Sequence, residues 1–169
     1  STVEEGIKAL TTLCVICPVY NEDEVIEVFY SVLSNVLTKI QERYCWSVLF
    51  VMDRSTDDTL TVLKELSKKD KRVKVLALSS RFGHQMSLVA GIDHNDTDIV
   101  IMMDSDLQHP PELIPELLSA YEAGNEIVYT IRSEPKDASM IKRLSSRSFY
   151  KIMNFLSEVP LSIVLSTRG

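Results

Sequence analysis

Short apolar runs alternate with segments of helical periodicity along the whole chain. A mostly apolar run is typical of a parallel strand that is buried on both faces of its sheet. Such runs predict strands at residues 13–17, 47–51, 73–78, 99–103 and 127–131. The alternation of strand and helix predicts one α/β domain.

Helices are predicted where apolar residues recur every three or four positions, because this spacing puts them on one helical face. The spacing occurs over residues 25–40, 57–68, 85–92, 111–123 and 139–157. Pro111 suits the first turn of the fourth helix, and Gly124 suits its end. Pro160 ends the fifth helix, which we expect to be continuous from about residue 139 to residue 157.

The amino-acid composition and net charge indicate a globular domain and exclude one class of partner. The chain has 169 residues, 45% apolar and 25% charged, with a net charge of −6, which suits one globular domain with a sizeable core. Scattered Lys and Arg do not form the basic surface that nucleic acids require, so no nucleic-acid partner is expected.

The chain has no apolar run of membrane-spanning length and no signal pattern, so we expect a cytoplasmic protein. Its three cysteines lack the partners of a zinc site and are interpreted as reduced core thiols.

Polar side chains follow each of the first four predicted strands. Ligands of parallel sheets bind beyond the carboxyl ends of the strands, where loops are free and helix N-termini face anions. The segments at these ends are residues 18–22, 53–57, 81–85 and 104–108. Because all four are rich in oxygen-bearing or charged side chains, the sequence predicts a ligand site at this edge of the sheet.

Asp104 and Asp106 come directly after the fourth apolar strand and are separated by Ser105. Two carboxylates one residue apart at a strand end can face the same crevice. Carboxylate oxygens suit Mg²⁺ and Mn²⁺, and these ions keep coordination positions for diphosphate oxygens. The motif therefore predicts a metal-bridged diphosphate ligand, whereas the same spacing elsewhere in a chain would more simply be a solvated acidic turn.

Taken in order, the four segments resemble the family 2 inverting glycosyltransferases of GT-A fold. The resemblance extends from residue 13 to about residue 155, and its most specific part is the string from Asp104 to Glu112. The chain looks most like the branch that transfers sugars from nucleotide sugars to polyprenyl or dolichyl phosphate. The resemblance implies a Rossmann-like, mostly parallel sheet with helices on both faces.

The resemblance also implies roles for individual residues. Asp104 and Asp106 would be the catalytic pair, and with Gln108 they would hold a divalent Mn or Mg ion that neutralises the diphosphate leaving group. UDP is the expected nucleotide, with GDP left open, and Asp53 would accept a hydrogen bond from the base or its ribose. The residues implied to bind the nucleotide sugar are Pro18, Tyr20, Asn21, Glu22, Asp53, Arg81, Gln85, Asp104 and Arg132.

The chain departs from the family pattern at two places. Met52-Asp53-Arg54-Ser55 stands where the family usually has Asp-Asp-Gly-Ser, so one acidic group and a turn glycine are missing. No acidic residue follows Glu158, whereas the branch has a Gly-Asp-Phe-Arg-like segment there. A phosphate acceptor is already ionised at neutral pH and needs no base, whereas a sugar hydroxyl would need one.

We therefore expect residues 1–169 to form one catalytic domain, truncated at its C-terminus, that moves a sugar to a polyprenyl phosphate. Two alternatives stay open: a glycan or other hydroxyl acceptor in cell-envelope synthesis, and a nucleotide-sugar-binding module without turnover. An aspartyl-phosphate phosphohydrolase is disfavoured, because that class carries its Asp-x-Asp motif after the first strand. We expect the full-length protein to lie at the cytoplasmic face of a membrane, to which a segment after Gly169 would attach it. Association into a homo-oligomer stays open.

Overall fold

The computed structural model describes residues 9–105, 110–124, 127–131, 140–144 and 161–166. Within these residues the chain forms a sheet of seven strands with helices on both faces. The strands are β1 Thr11–Val19, β2 Tyr44–Met52, β3 Val73–Ala77, β4 Ile99–Met102, β5 Ile127–Ile131, β6 Met140–Leu144 and β7 Leu161–Ser166. The helices are α1 Ile26–Thr38, α2 Thr59–Lys69, α3 His84–Asp93 and α4 Ile114–Glu122, the last preceded by a 3₁₀ turn at Pro111–Leu113.

Along the sheet the strands lie in the order β3, β2, β1, β4, β7, β5 and β6. The pairings among β1, β2, β3 and β4 are parallel. Strand β7 lies antiparallel between β4 and β5, and β6 lies antiparallel beside β5. The four parallel strands are the ones whose carboxyl ends the sequence predicts to carry a ligand.

The predicted strands and helices are confirmed as far as β5, with ends that shift by a few residues. The prediction of a helix over residues 139–157 is wrong at Met140–Leu144, which is strand β6 and pairs with β5 along its whole length. Its apolar residues, at positions 140, 141 and 144, have helical spacing, but pairing with β5 satisfies the backbone hydrogen bonds of the segment as a strand. The rest of that predicted helix, residues 145–157, lies outside the described residues. Strand β7 has no counterpart among the predicted elements.

Buried side chains form separate apolar clusters on the two faces of the sheet. Helices α1, α2 and α4 cover one face, where Phe29, Leu63 and Leu117 are fully buried. Helix α3 packs on the other face, against β1 and β2. Gly91 permits this close packing, because a Cβ there would lie 2.6 Å from Ile16 Cγ2. Gly91 therefore sets the distance between α3 and the sheet.

The described helices are short. The longest of them, α1, has 13 residues, whereas about 20 apolar residues are needed to cross the hydrocarbon core of a bilayer. In the part of the chain that the structure describes, no helix combines the length and the apolar character of a membrane span.

Asp70 follows α2 directly and joins α1 to the region between α2 and β3. Its carboxylate accepts two hydrogen bonds of 3.0 Å from the Arg72 guanidinium and another from the Tyr30 hydroxyl. The Arg72 guanidinium also stacks on the Trp46 ring, 3.9 Å from its centroid. The bonds from Arg72 outweigh the opposing effect of burial and lower the pKa of Asp70 to about 2.

Protonation of Asp70 is therefore expected to destabilise the fold. The pKa of Asp70 falls from 3.8 to about 2 on folding, so the contribution of its ionised form to the free energy of unfolding is complete above about pH 5 and is lost progressively as the pH falls through about 2. The Arg72 side chain is 46% exposed, and after discounting for solvent screening this contribution is about 1 kcal/mol.

The melting temperatures of the parent and of Asp70→Asn, measured from pH 7 to pH 2, test this. The variant should melt about 2–4 °C lower at neutral pH, and the difference should shrink as the pH approaches 2. Asp96→Asn, at an exposed loop position, is the control and should match the parent throughout. A difference that persists unchanged at the lowest pH would contradict the assignment.

Candidate functional site

The carboxyl ends of β1, β2, β3 and β4 meet at one edge of the sheet, because their pairings are parallel. Val19 at the end of β1 lies opposite Met52 at the end of β2, which lies opposite Ala77 at the end of β3. The loops that leave these ends converge at this edge. They bring together six members of the predicted set, namely Tyr20, Asn21, Glu22, Asp53, Arg81 and Asp104.

Asp53 is buried at the end of β2 and binds the loop that follows β3. Its carboxylate accepts hydrogen bonds from the backbone N–H groups of Arg54, Phe82 and Gly83 at 3.1, 2.8 and 2.9 Å. It also accepts a bond of 2.9 Å from Nε of Arg81. Burial opposes ionisation, yet these four donors together hold the pKa of Asp53 below its usual range. A carboxylate offers about four acceptor positions, so Asp53 acts here on the protein's own loop.

Arg81 and Tyr20 form a stacked pair at the exposed rim of this edge, here called the Tyr20–Arg81 stack. The guanidinium carbon lies 3.4 Å from the centroid of the Tyr20 ring, within the range of a cation–π interaction. The Arg81 side chain is 53% exposed. Because Asp53 holds Nε, the guanidinium plane is fixed over the ring and presents a flat, positively charged surface.

Asn21 ties the loop after β1 to the loop after β2. Its backbone has a φ of 47°, in the left-handed region that Asn tolerates better than most residues. Its N–H donates to Ser55 Oγ at 3.1 Å, and its Oδ1 accepts from Thr56 N at 2.8 Å. The Asn21 side chain therefore shapes the edge by joining two loops.

Glu22 ties the loop after β1 to the loop after β4. Its carboxylate accepts a hydrogen bond from the Ser105 hydroxyl, and its N–H donates to Thr59 Oγ1 at 3.0 Å. Ser105 is fully buried. The glutamate thus lies between the start of α2 and the segment that carries Asp104.

The predicted metal ligands are described only in part. Asp104 is half-buried two residues after the end of β4, whereas Asp106 and Gln108 lie outside the described residues. Within the described ranges no three His, Cys, Asp or Glu side chains are grouped so as to hold a metal ion. The oxygen donors of the motif have the chemistry that Mg²⁺ and Mn²⁺ prefer, and Asp104 is at the edge where the four loops meet.

The two buried thiols agree with the interpretation of core cysteines. Cys14 and Cys17 are buried and form no disulfide, whereas Cys45 is free but exposed, so the interpretation of a core thiol is wrong for Cys45. Burial raises the pKa of the Cys17 thiol well above its usual value, and the nearby carboxylates of Asp104 and Glu22 add to this through their negative charge. Cys17 is therefore a neutral side chain beneath the acidic part of the edge.

Other members of the predicted set are located differently. Pro18 is buried inside β1, so its ring is part of the strand and not of the rim. The side chain of Gln85 and the whole of Arg132 lie outside the described part of the chain. Sequence reasoning missed the N–H groups of Phe82 and Gly83 and the Ser105 hydroxyl. Backbone donors leave no mark in a sequence, and Ser105 had only its position between two aspartates as a signal.

Comparison with known proteins identifies the family. The family model described as Glycosyl transferase family 2 matches residues 14–166. The chain belongs to glycosyl transferase family 2. A bactoprenol glucosyl transferase of Shigella phage SfV is 35% identical over 147 residues, covering 86% of this chain and 47% of the relative. The family resemblance drawn from the sequence is therefore confirmed, and this family 2 chain spans about half the length of the curated relatives it matches.

Solved structures confirm the fold class. The mannosyltransferase PcManGT from Pyrobaculum calidifontis, in complex with GDP-Man and Mn²⁺, matches with a TM-score of 0.63 at 17% identity, over 92% of this chain and 45% of that chain. Glucosyl-3-phosphoglycerate synthase from Mycobacterium tuberculosis, in complex with Mn²⁺, UDP and phosphoglyceric acid, matches with a TM-score of 0.56 at 20% identity, over 92% and 56%. The family 2 chain thus has the α/β GT-A fold of nucleotide-sugar transferases.

Replacement of Asp53 by Asn is expected to release the loop that contains Phe82 and Gly83. The amide has one acceptor oxygen, and its NH₂ group would face N–H donors. Hydrogen bonds to a charged group are worth about 1.5–3 kcal/mol, so amide hydrogen exchange at Phe82 and Gly83 should become at least about tenfold faster.

Hydrogen exchange followed by NMR measures this directly. Arg54→Ala is the matched control, because Arg54 contributes its backbone N–H to Asp53 and keeps that donor in the variant. Exchange at both amides should stay near the parent rate in Arg54→Ala. Unchanged exchange in Asp53→Asn would show that the carboxylate does not hold the loop.

Proposed function

We propose that the chain is the donor-binding catalytic domain of an inverting, metal-dependent glycosyltransferase that moves a sugar from a nucleotide diphosphate to a polyprenyl phosphate. The observation that carries this proposal is the presence of the Tyr20–Arg81 stack and of Asp104 at the same edge of the sheet. The Tyr20–Arg81 stack suits a nucleobase, and Asp104 suits the diphosphate end of the same ligand.

The nucleotide is argued from the exposed surface at this edge. A base can stack on a guanidinium or an aromatic plane, and the Tyr20–Arg81 stack offers both with the guanidinium fixed by Asp53. The two structural relatives contain GDP-Man in one case and UDP in the other. We propose UDP, as the sequence resemblance implies, with GDP as the alternative that the assay must include.

Asp104, Asp106 and Gln108 are the residues that would hold Mn²⁺ or Mg²⁺. When bound, the ion supplies positive charge that stabilises the departing diphosphate. Asp104 follows the buried strand β4 by two residues, so its backbone is supported by the core of the sheet. Both structural relatives were solved with Mn²⁺, which supports a divalent ion in this chain.

A lipid phosphate is the acceptor that we propose. Its phosphate oxygen attacks the anomeric carbon from the face opposite the leaving group, so the new C–O bond forms as the bond to the diphosphate breaks, and the configuration inverts. A phosphate is ionised at neutral pH and needs no proton removed. The similarity to a bactoprenol glucosyl transferase supports a polyprenyl acceptor. With such an acceptor, the full-length protein would act at the cytoplasmic face of a membrane.

The decisive assay uses full-length protein, Mn²⁺, a short-chain polyprenyl phosphate and radiolabelled UDP-sugars or GDP-sugars. We expect label in a lipid-phosphate sugar, loss of product with a chelator, and recovery when Mn²⁺ is added back. Asp106→Asn should lower kcat by at least about 100-fold, since loss of a supporting group alone can cost 10–100-fold. Asp96→Asn, at an exposed loop position before the amino end of β4, is the control and should keep parent activity.

Three other outcomes would contradict the proposal. Transfer to a glycan with none to any lipid phosphate would favour the hydroxyl-acceptor alternative. Nucleotide binding without transfer to either acceptor would indicate a binding module without turnover. Full activity in the presence of the chelator would exclude the metal dependence.

A further inference from the structure

A chain of hydrogen bonds crosses the candidate site from the start of α2 to the segment after β4. The Thr59 hydroxyl donates to Asp57 Oδ1 and accepts from the N–H of Glu22 at 3.0 Å. The Glu22 carboxylate then accepts from the Ser105 hydroxyl. The Thr59 hydroxyl both donates and accepts, and Glu22 bonds through its backbone N–H and its carboxylate. These hydrogen bonds therefore join the loops after β1, β2 and β4.

Burial makes these bonds specific. Thr59 and Ser105 are both fully buried, so their hydroxyl groups cannot exchange these partners for bulk water. Removal of one partner would leave a buried polar group without its bond, which costs more than the bond itself contributes. This set of hydrogen bonds therefore favours one arrangement of the three loops.

The position of Ser105 gives this arrangement a consequence for the site. The backbone after β4 is held to β1 up to Met103, whose N–H donates to the Ile16 carbonyl at 3.0 Å. Beyond that point the Ser105 hydroxyl binds a different loop. Asp104 lies between these two attachments, and Asp106 follows directly. The position of Asp104 thus depends on the attachments on both sides of it.

We propose that Glu22 and Ser105 are positioning residues, whose hydrogen bond, the Glu22–Ser105 latch, sets the geometry with which Asp104 meets a metal-bound nucleotide diphosphate. This inference deepens the proposed function and depends on it for the identity of the ligand. Glu22 acts through Ser105 in this account, in contrast to the direct contact with base or ribose that the family resemblance implies. The two roles predict different effects on nucleotide binding.

Calorimetric binding of UDP and of GDP to full-length protein, each with Mn²⁺ and with a chelator, separates these roles. Ser105→Ala and Glu22→Ala should each weaken Mn²⁺-dependent binding about 10- to 100-fold, the usual effect of losing a group that orients a metal ligand. Binding without metal should change less than about twofold, since the latch does not touch the base. Glu22→Gln, which keeps an acceptor oxygen for Ser105, should recover most of the affinity.

The double variant Glu22→Ala with Ser105→Ala supplies a second test. If both residues act through one bond, the double variant should bind as weakly as either single variant and no more weakly. Additive losses would overturn the proposal, and so would a Glu22→Ala protein that loses metal-free binding. Ser47→Ala is the matched control, because its hydroxyl points at the Leu13 carbonyl, 3.5 Å away near the amino end of β1.

Hydrogen exchange at the Ser105 amide keeps the latch testable if the proposed function fails. If the parent transfers no sugar but binds UDP or GDP with Mn²⁺, the binding series above still decides the inference. If the parent binds neither nucleotide, the proposed function fails, and exchange at Ser105 should still be at least about tenfold faster in Glu22→Ala than in Ser47→Ala. Equal exchange in the two variants, each with a parent-like circular dichroism spectrum, would overturn the latch.

Discussion

Asp53 is buried at the end of β2, where it accepts hydrogen bonds from three backbone N–H groups and from the Arg81 guanidinium. A buried charge is tolerated only when it is paired and hydrogen-bonded, so the loop after β3 must stay close to the end of β2. That constraint fixes Arg81 over Tyr20 and thereby gives the edge its flat cationic surface. The nucleotide end of the proposed site therefore depends on this buried carboxylate as well as on the side chains at the rim.

A second carboxylate organises the other end of the proposed site. Glu22 binds Ser105 beside Asp104 and is itself tied through its backbone to Thr59. The two acidic residues thus act on different loops, Asp53 on the loop that carries Arg81 and Glu22 on the segment that carries Asp104. Both belong to segments directly after parallel strands, so the core that holds those strands also holds the site. A GT-A sheet can in this way support a precise ligand geometry on loops.

Much of the fold could be predicted from the sequence because buried parallel strands are short apolar runs with clear ends. Strand β6 at Met140–Leu144 could not, since its apolar residues have helical spacing and only the pairing with β5, which is remote from local pattern, makes it a strand. The placement of Tyr20, Asp53 and Asp104 at one edge could be predicted from their positions after strands, whereas the partners of Asp53 could not. Backbone donors such as Gly83 N–H are identical at every position of a sequence, and only folding brings them to a particular carboxylate.

We propose that one edge of the sheet holds the base at one end and a metal-bound diphosphate at the other. A crystal structure of the full-length protein with UDP and Mn²⁺ tests it most directly. The account predicts the base on the Tyr20–Arg81 stack and the ion about 2.1 Å from carboxylate oxygens of Asp104 and Asp106, with the Glu22–Ser105 latch intact. An ion bound away from both aspartates, or a base remote from the Tyr20–Arg81 stack, would contradict it.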